Sequence, residues 1–234
     1  MFVSIEHHYG IAVLRVDRPP ANAIDVGLLG ELVSGLEGLA ADPPAAVMLT
    51  GREGFFSAGV DLKLVGGYGP DEHRAMVAGI NRMVITCYGL PCPVIAAVTG
   101  HAIAGGLVLA LCADYRVAAL GGRYGLTEVK VGVPYPQAAL GVVRTELPAH
   151  AARMLALTNR LVDADECVRL GVFDESSDPA HVEARALEVA REMAAFPGQV
   201  YAQTKQALRH EDLSWMRVGA DADPLLERWV DAAS

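Results

Sequence analysis

Two short stretches carry the residue types from which a catalytic site can be built. Residues 53–63 read EGFFSAGVDLK, where two aromatics run into small residues, a glycine, and then an Asp and a Lys. Gly59 lets the chain leave a strand at backbone angles closed to other residues, and small neighbours let a ligand approach the main chain. The N–H of Val60 is then free to donate. The second stretch, Thr99-Gly100-His101-Ala102-Ile103-Ala104-Gly105-Gly106-Leu107, carries a buried strand through a loop into a helix that begins at the glycine pair. The first N–H groups of a helix lack intrahelical partners and lie at the positive end of its dipole, which suits an anion. Two donors from separate loops could together hold a developing oxyanion. The same spacings also serve ordinary turns, and taken alone they leave both readings open.

Other reactive side chains offer less. Ser57 has no glycine two residues before it, so it is not a nucleophile elbow and reads as a small turn residue. His101 lies near the second donor and reads either as a base or as a packed loop histidine. His7-His8 lacks companion ligands, and no metal site is expected.

These loops need a scaffold, and the composition allows one. The chain has 234 residues, 52% hydrophobic and 20% charged, enough for one large domain or a domain with a small appendage. The net charge of −9 argues against a general nucleic-acid binder, which would need a basic surface, but leaves room for a small anionic ligand. Cys87, Cys92, Cys112 and Cys167 form no CxxC pair and no signal peptide is read ahead of them, so reduced thiols in a cytoplasmic protein are expected. The apolar run Pro93–Ala113 is interrupted by Thr99, Gly100, His101 and Gly105-Gly106; it reads as strand, loop and helix, not as a membrane span.

The elements follow from periodicity. Phe2–Glu6 and Ile11–Asp17 read as strands joined by a hairpin at Tyr9-Gly10, and Asp25 caps a helix to about Ala41 with Leu28, Leu29, Leu32, Leu36 and Leu39 on one side. Ala45–Thr50 reads as a buried strand, Gly51–Gly54 as a turn, Asp71–Tyr88 as a helix and Val94–Val98 as another strand. Gly105–Ala113 is then a helix and Asp114–Ala118 a strand. Strands separated by helices imply crossovers and a largely parallel layer. After Pro136 helical patterns dominate, over 137–147, 149–157, 163–170, 179–195 and 198–209, with a weaker helix from Leu213 to Ala233.

The two loops, read together with their surroundings, resemble the crotonase (enoyl-CoA hydratase/isomerase) superfamily. Phe56 to Lys63 matches its F-x-A-G-x-D-L-K, Gly100 to Gly106 its G-x-A-x-x-G-G, and Cys112 to Ala118 its CAD-R-VA strand. Tyr124 to Pro134 is similar to its F-G-x-P-E-x-x-x-G-x-x-P. Arg18 to Ile24 is similar to R-P-x-x-x-N-A-L shortened by one residue, and Ala164 to Val172 to A-x-E-A-x-x-x-G-L-V. The resemblance covers nearly the whole chain in order. It implies an α/β fold, with a ββα spiral core over 1–147 that binds acyl-CoA and a helical region over 148–234 used in trimerisation. It further implies acyl-CoA thioester substrates, an enolate intermediate and no cofactor beyond the coenzyme A that the substrate carries. The expected partners are the thioester and copies of the chain, a homotrimer or a dimer of trimers, with no nucleic acid and no membrane.

By the same resemblance the oxyanion donors are the N–H groups of Val60 and Gly105, while Ala21, Ala58, Asp61 and Leu62 line the coenzyme A tunnel. Hydratases of the family carry two glutamates. The first position here is Val108, which moves no proton; the second is Glu128. One carboxylate suffices to shuttle a proton between two carbons of one substrate, which favours Δ3-Δ2-enoyl-CoA isomerisation over hydration. The family's G-A-G-G is replaced by Tyr135-Pro136-Gln137-Ala138, so the acyl pocket, with Gly106, Val108 and Tyr135 beside it, differs. Hydration, thioester hydrolysis or decarboxylation assisted by Tyr135 or His101 stays open, as does acyl-CoA binding without turnover. Lys63, Lys130, Lys205 and Arg209 are candidates to reach coenzyme A phosphates. The apolar positions Met154, Leu155, Leu157, Leu161, Leu187, Val189, Leu225, Leu226 and Trp229 exceed what one thin helical layer needs, which also points to assembly.

Overall fold

The computed structural model describes residues 1–227 and residue 229. The chain opens with an antiparallel hairpin, β1 (Val3–His8) and β2 (Ile11–Val16), closed by Tyr9 and Gly10 at positive φ. α1 (Val26–Ala41) starts where the Asp25 carboxylate accepts from the Leu28 N–H at 2.8 Å, and it buries the five leucines expected of it. There follow β3 (Ala46–Thr50), β4 (Gly54–Ser57), α2 (Leu62–Val65) and α3 (Pro70–Tyr88). The next turn of the chain is β5 (Val94–Val98), β6 (Gly100–Ile103) and α4 (Gly105–Leu111). A third comprises β7 (Tyr115–Ala119), β8 (Tyr124–Gly125), α5 (Glu128–Val131) and α6 (Gln137–Glu146). After these come α7 (Ala149–Ala152) running into a π-helical turn over Arg153–Leu157, α8 (Ala164–Arg169), β9 (Glu175–Ser177), α9 (Val182–Ala194) and α10 (Gly198–Asp221). A 3₁₀ turn, Pro224–Leu226, follows α10.

The strands sort into two sheets. The larger has the order β1-β2-β3-β5-β7-β9, parallel after its first pair; the smaller is β4-β6-β8, also parallel. Each turn of the chain lays one strand in the large sheet, the next in the small sheet, and then a helix. That is the ββα spiral, and it stacks the β4–α2 and β6–α4 loops at one edge. The large sheet is covered on both faces, by α1 and α3 on one and by α9 on the other, so β3 and β5 are buried along their whole length. In the small sheet Phe55 pairs with His101 and Ser57 with Ala102, so β4 carries one extra residue, Phe56, in a bulge.

Three features depart from the sequence-based reading. β6 and β8 were not expected as strands, β9 falls in the gap left between the helices expected over 163–170 and 179–195, and α10 runs unbroken through the expected gap at 210–212. The expected helix from Leu213 to Ala233 is therefore the end of α10, the 3₁₀ turn and Trp229; residues 228 and 230–234 lie outside the described ones.

α10 is fastened by charge. Lys205 Nζ meets Asp114 at 2.6 Å and Arg209 meets the other Asp114 oxygen at 3.0 Å, with the Arg209 guanidinium 3.8 Å from the Tyr88 ring centre. Burial pushes the Lys205 ammonium below its usual pKa. Both cations are therefore committed within the chain and do not reach for phosphates, while Lys63 and Lys130 stay exposed. Leu155, Val189 and Trp229, expected at an interface, are buried in the chain's own core. Leu157 and Leu161 are exposed, as are Val200, Leu208 and Val218 along α10. The four cysteines are buried free thiols, and among the described residues no helix is long and apolar enough to cross a membrane.

Candidate active site

The first donor is set by a single bridge. The Ile24 N–H donates to Gly59 C=O at 2.7 Å and the Asp61 N–H to Ile24 C=O at 2.9 Å, a parallel bridge between Ile24 and Val60. Because alternate N–H groups of an extended chain point to opposite sides, the Val60 N–H faces away from Ile24. Among the described residues it has no protein acceptor. The turn is held by Ser57, whose hydroxyl donates to Asn22 C=O at 2.7 Å and accepts from the Gly59 N–H at 3.1 Å. Ser57 is thus the turn residue its context suggested.

Gly59 sits at φ 78° where the second loop crosses. A Cβ there would stand 2.8 Å from Ile103 C=O and 3.1 Å from the Gly105 nitrogen, so only glycine lets the loops meet. On the other side Ala104 has φ 52° and ψ −125°, a conformation a non-glycine residue holds at a cost of about 1–3 kcal/mol. The Ala104 N–H donates to Gly125 C=O at 2.8 Å, and the next N–H, of Gly105, begins α4 without a protein acceptor among the described residues. Gly106 is packed on Ser57, where a Cβ would come within 2.3 Å of the Ser57 carbonyl oxygen. It makes the approach possible and does not line the cleft.

The two donors open into an apolar cleft of about 650 Å³, counting the space at its mouth. Ala58, Val60, Leu62, Gly105, Val108, Glu128 and Tyr135, seven of the ten expected site residues, line it together. Ala21 and Asp61 stand beside it. The Ala21 carbonyl accepts from the Ala58 N–H at 2.9 Å, and the Asp61 carboxylate pairs with Arg18 at 3.3 Å and caps α2. These two hold the loop from behind. His101 is turned elsewhere, its Nδ1 accepting from the Arg123 N–H at 2.9 Å and its ring against Phe55. That contact leaves it no part as a base in the cleft.

Glu128 begins α5, and Gly132 at φ 72° turns the chain back so that Tyr135 returns over it. The Tyr135 hydroxyl donates to Glu128 Oε2 at 2.7 Å. Glu128 is 6% exposed. Burial pushes its carboxyl above the usual range, while the Tyr135 hydrogen bond and its own and Thr127's backbone N–H groups pull it back in part. The phenol of Tyr135 is pushed far up, by burial first and then by the neighbouring carboxylate, so it stays protonated and acts as a donor. Val108, 1% exposed, presents only methyl groups. Among the described residues Glu128 and Tyr135 are the ionisable groups of the lining.

The sequence pointed to Tyr135 as pocket wall but not to its bond with Glu128. Nor did it place Ile80 and Met83 of α3, Ala139 of α6, or Trp229 in the lining. The last was legible only as one more apolar residue.

Comparison with known proteins agrees with this geometry. A family model described as enoyl-CoA hydratase/isomerase matches residues 6–218. A probable enoyl-CoA hydratase, echA17, of Mycobacterium avium is 34% identical over 84% of this chain and 77% of the relative. The crystal structure of the enoyl-CoA hydratase EchA3 from Mycobacterium ulcerans superposes with a TM-score of 0.89 at 31% identity, covering 95% of this chain and 97% of that one. Human mitochondrial delta3-delta2-enoyl-CoA isomerase also gives 0.89, at 28% identity, covering 97% and 91%. Names of both reactions thus occur among the relatives.

Proposed function

Because the chain belongs to the enoyl-CoA hydratase/isomerase family, we propose that it isomerises 3-enoyl-CoA to 2-enoyl-CoA with Glu128 as its single proton shuttle. The observation that carries this reading is the make-up of the cleft: one buried carboxylate beside two free N–H donors, and methyl groups where a second acid would stand. Activating water and delivering its hydrogen takes two proton-carrying groups, whereas moving a proton between two carbons of one molecule takes one.

The thioester oxygen accepts from the Val60 and Gly105 N–H groups. Glu128, ionised, removes the α-proton, and the C–H electron pair becomes the double bond of an enolate whose charge rests on that oxygen. When the carbonyl re-forms, the pair moves between the α- and β-carbons. The former β,γ pair then takes the proton back at the γ-carbon from Glu128. Nothing is consumed and the double bond ends conjugated to the carbonyl. Each N–H donor is worth about 2.7–4 kcal/mol of transition-state stabilisation. Coenzyme A, carried by the substrate, is the one non-protein group required, and the two stretches that hold Ala21, Ala58, Asp61 and Leu62 form its wall. The enzyme works in the cytoplasm as a homotrimer or dimer of trimers, a reading supported by the exposed Val200, Leu208 and Val218 on α10.

The test is incubation with 3-enoyl-CoA and, separately, 2-enoyl-CoA, products followed by mass and retention. Glu128→Gln should bind acyl-CoA and lose isomerisation by orders of magnitude. Near wild-type turnover by this variant would sink the mechanism. Hydration is the second reading, favoured by the Tyr135 hydroxyl as a further proton-bearing group beside Glu128. Its signature is 3-hydroxyacyl-CoA formed from the 2-enoyl substrate.

A further inference from the structure

The cleft has two ends of different character. Leu62 and Val131 of its lining are 40% and 46% exposed and give onto solvent, while Met83, Ala139 and Trp229 are buried. A charged, bulky coenzyme A must stay near water, so on the proposed function the acyl chain points to the buried end. That buried lining includes a residue from the far end of the sequence. The Trp229 indole is 4% exposed, its Nε1–H donates to Pro134 C=O at 2.9 Å, and the His73 ring meets it edge-on at 6.4 Å.

The segment that brings Trp229 in is held by a polar clasp inside the apolar core. The buried Asp223 carboxylate accepts from Asn81 Nδ2 at 3.0 Å and from the Gln137 N–H at 2.8 Å through one oxygen. Its other oxygen accepts from the Leu225 N–H at 3.0 Å and starts the 3₁₀ turn. Asn81 Oδ1 in turn accepts from the Ala138 N–H at 2.9 Å. Asn81 is flanked on α3 by Ile80, and one turn on lies Met83; Gln137 follows the Tyr135 loop. The clasp therefore ties together the three walls of the buried end. A buried carboxylate without such partners would be costly, which fixes the segment in one position.

We propose that Trp229 is a specificity-determining residue that caps the acyl end of the cleft and limits chain length, with the Asn81–Asp223 clasp as its positioning device. This rests on the cleft being an acyl-CoA site, and the test separates the two. Affinities of a series of saturated straight-chain acyl-CoAs, which cannot turn over, are measured by calorimetry for wild type, Trp229→Ala and Trp229→Phe. Wild-type affinity should rise with chain length to a ceiling, each seated methylene adding about fourfold, or ~0.8 kcal/mol. Trp229→Ala should move the ceiling to longer chains while leaving the shortest within about twofold of wild type, and Trp229→Phe should fall between. Asp223→Ala, which unfastens the segment and keeps the indole, should blur the same ceiling. With Trp215→Phe leaving Trp229 as the single tryptophan, its fluorescence should change as the chain reaches ceiling length and not before. An unmoved ceiling in folded Trp229→Ala and Trp229→Phe overturns the proposal. A movable ceiling in a protein that never isomerises 3-enoyl-CoA supports the cap and overturns only the reaction.

Discussion

Tyr135→Phe removes one oxygen and leaves the ring, so it isolates what the hydroxyl does for Glu128. That hydroxyl donates at 2.7 Å to Oε2 and stabilises the carboxylate over the carboxylic acid. Burial acts the other way and is unchanged by the substitution. A hydrogen bond to a charged group is worth about 1.5–3 kcal/mol, so its loss disfavours the carboxylate and raises the Glu128 pKa further. On the proposed function Glu128 is a base and must be ionised, so the acid limb of the pH profile for kcat/KM on 3-enoyl-CoA should move upward. Below the limb the variant should be roughly 10–100-fold slower, the rate equivalent of the lost hydrogen bond at about 1.36 kcal/mol per tenfold. On the alkaline plateau it should be no slower than wild type, since the freed carboxylate is the stronger base. Affinity for a saturated acyl-CoA serves as the control and should be unchanged. A limb that stays in place, or a loss equal at every pH, refutes the electrostatic role given to Tyr135.

The raised pKa of Glu128 also bears on stability. Its folded-state pKa lies above the unfolded value, so its contribution is intact below that value and is lost as pH rises through the folded pKa. Glu128→Gln should therefore unfold at a higher temperature than wild type at pH 8 and at the same temperature at pH 4; equal Tm values at both would show the carboxylate is not strained by burial. Val108→Glu puts a second carboxylate in the cleft and should raise hydration of crotonyl-CoA by about 10²-fold or more, with a stability loss of ~1–3 kcal/mol, read by product analysis and urea unfolding. Asp114→Ala strands Lys205 and leaves Arg209 only Glu146 at 3.5 Å, and should cost ~3–5 kcal/mol in urea unfolding; a loss below ~1 kcal/mol would place these pairs among surface bridges. Light scattering at micromolar concentration should give a trimeric or hexameric mass, and a monomeric mass would remove the assembly.

What the sequence disclosed depended on length and on range. β5 was legible to the residue and α1 from its cap, because apolar periodicity and an Asp at the start are local signals. β4, β6 and β8 hold two to four residues rich in glycine and small side chains, too short for any periodicity. β9 is a half-buried Glu-Ser-Ser whose only strand signal is its partner β7. The expected break near 210–212 in α10 reflects charged residues interrupting the apolar pattern, yet nothing there breaks a helix. Gly59 and Gly105-Gly106 mark where a backbone must turn or be approached, but ordinary turns fit those spacings too. The resemblance is what singled out the N–H groups of Val60 and Gly105, which the structure leaves without a protein acceptor among the described residues. Glu128–Tyr135 depends on a turn at positive φ, and Asn81–Asp223 joins residues 142 apart, beyond any local pattern.

The Ile24–Val60 bridge decides the sign of the site. The Gly59 C=O and the Asp61 N–H both turn toward Ile24, which leaves the Val60 N–H on the opposite side. Shift an extended segment by one residue and its groups exchange sides. On the proposed function, a loop paired to Ile24 one residue out of step would turn a carbonyl toward the thioester oxygen and repel the charge it is meant to hold. The polarity of the loop thus rests on one backbone pair and on no charged side chain.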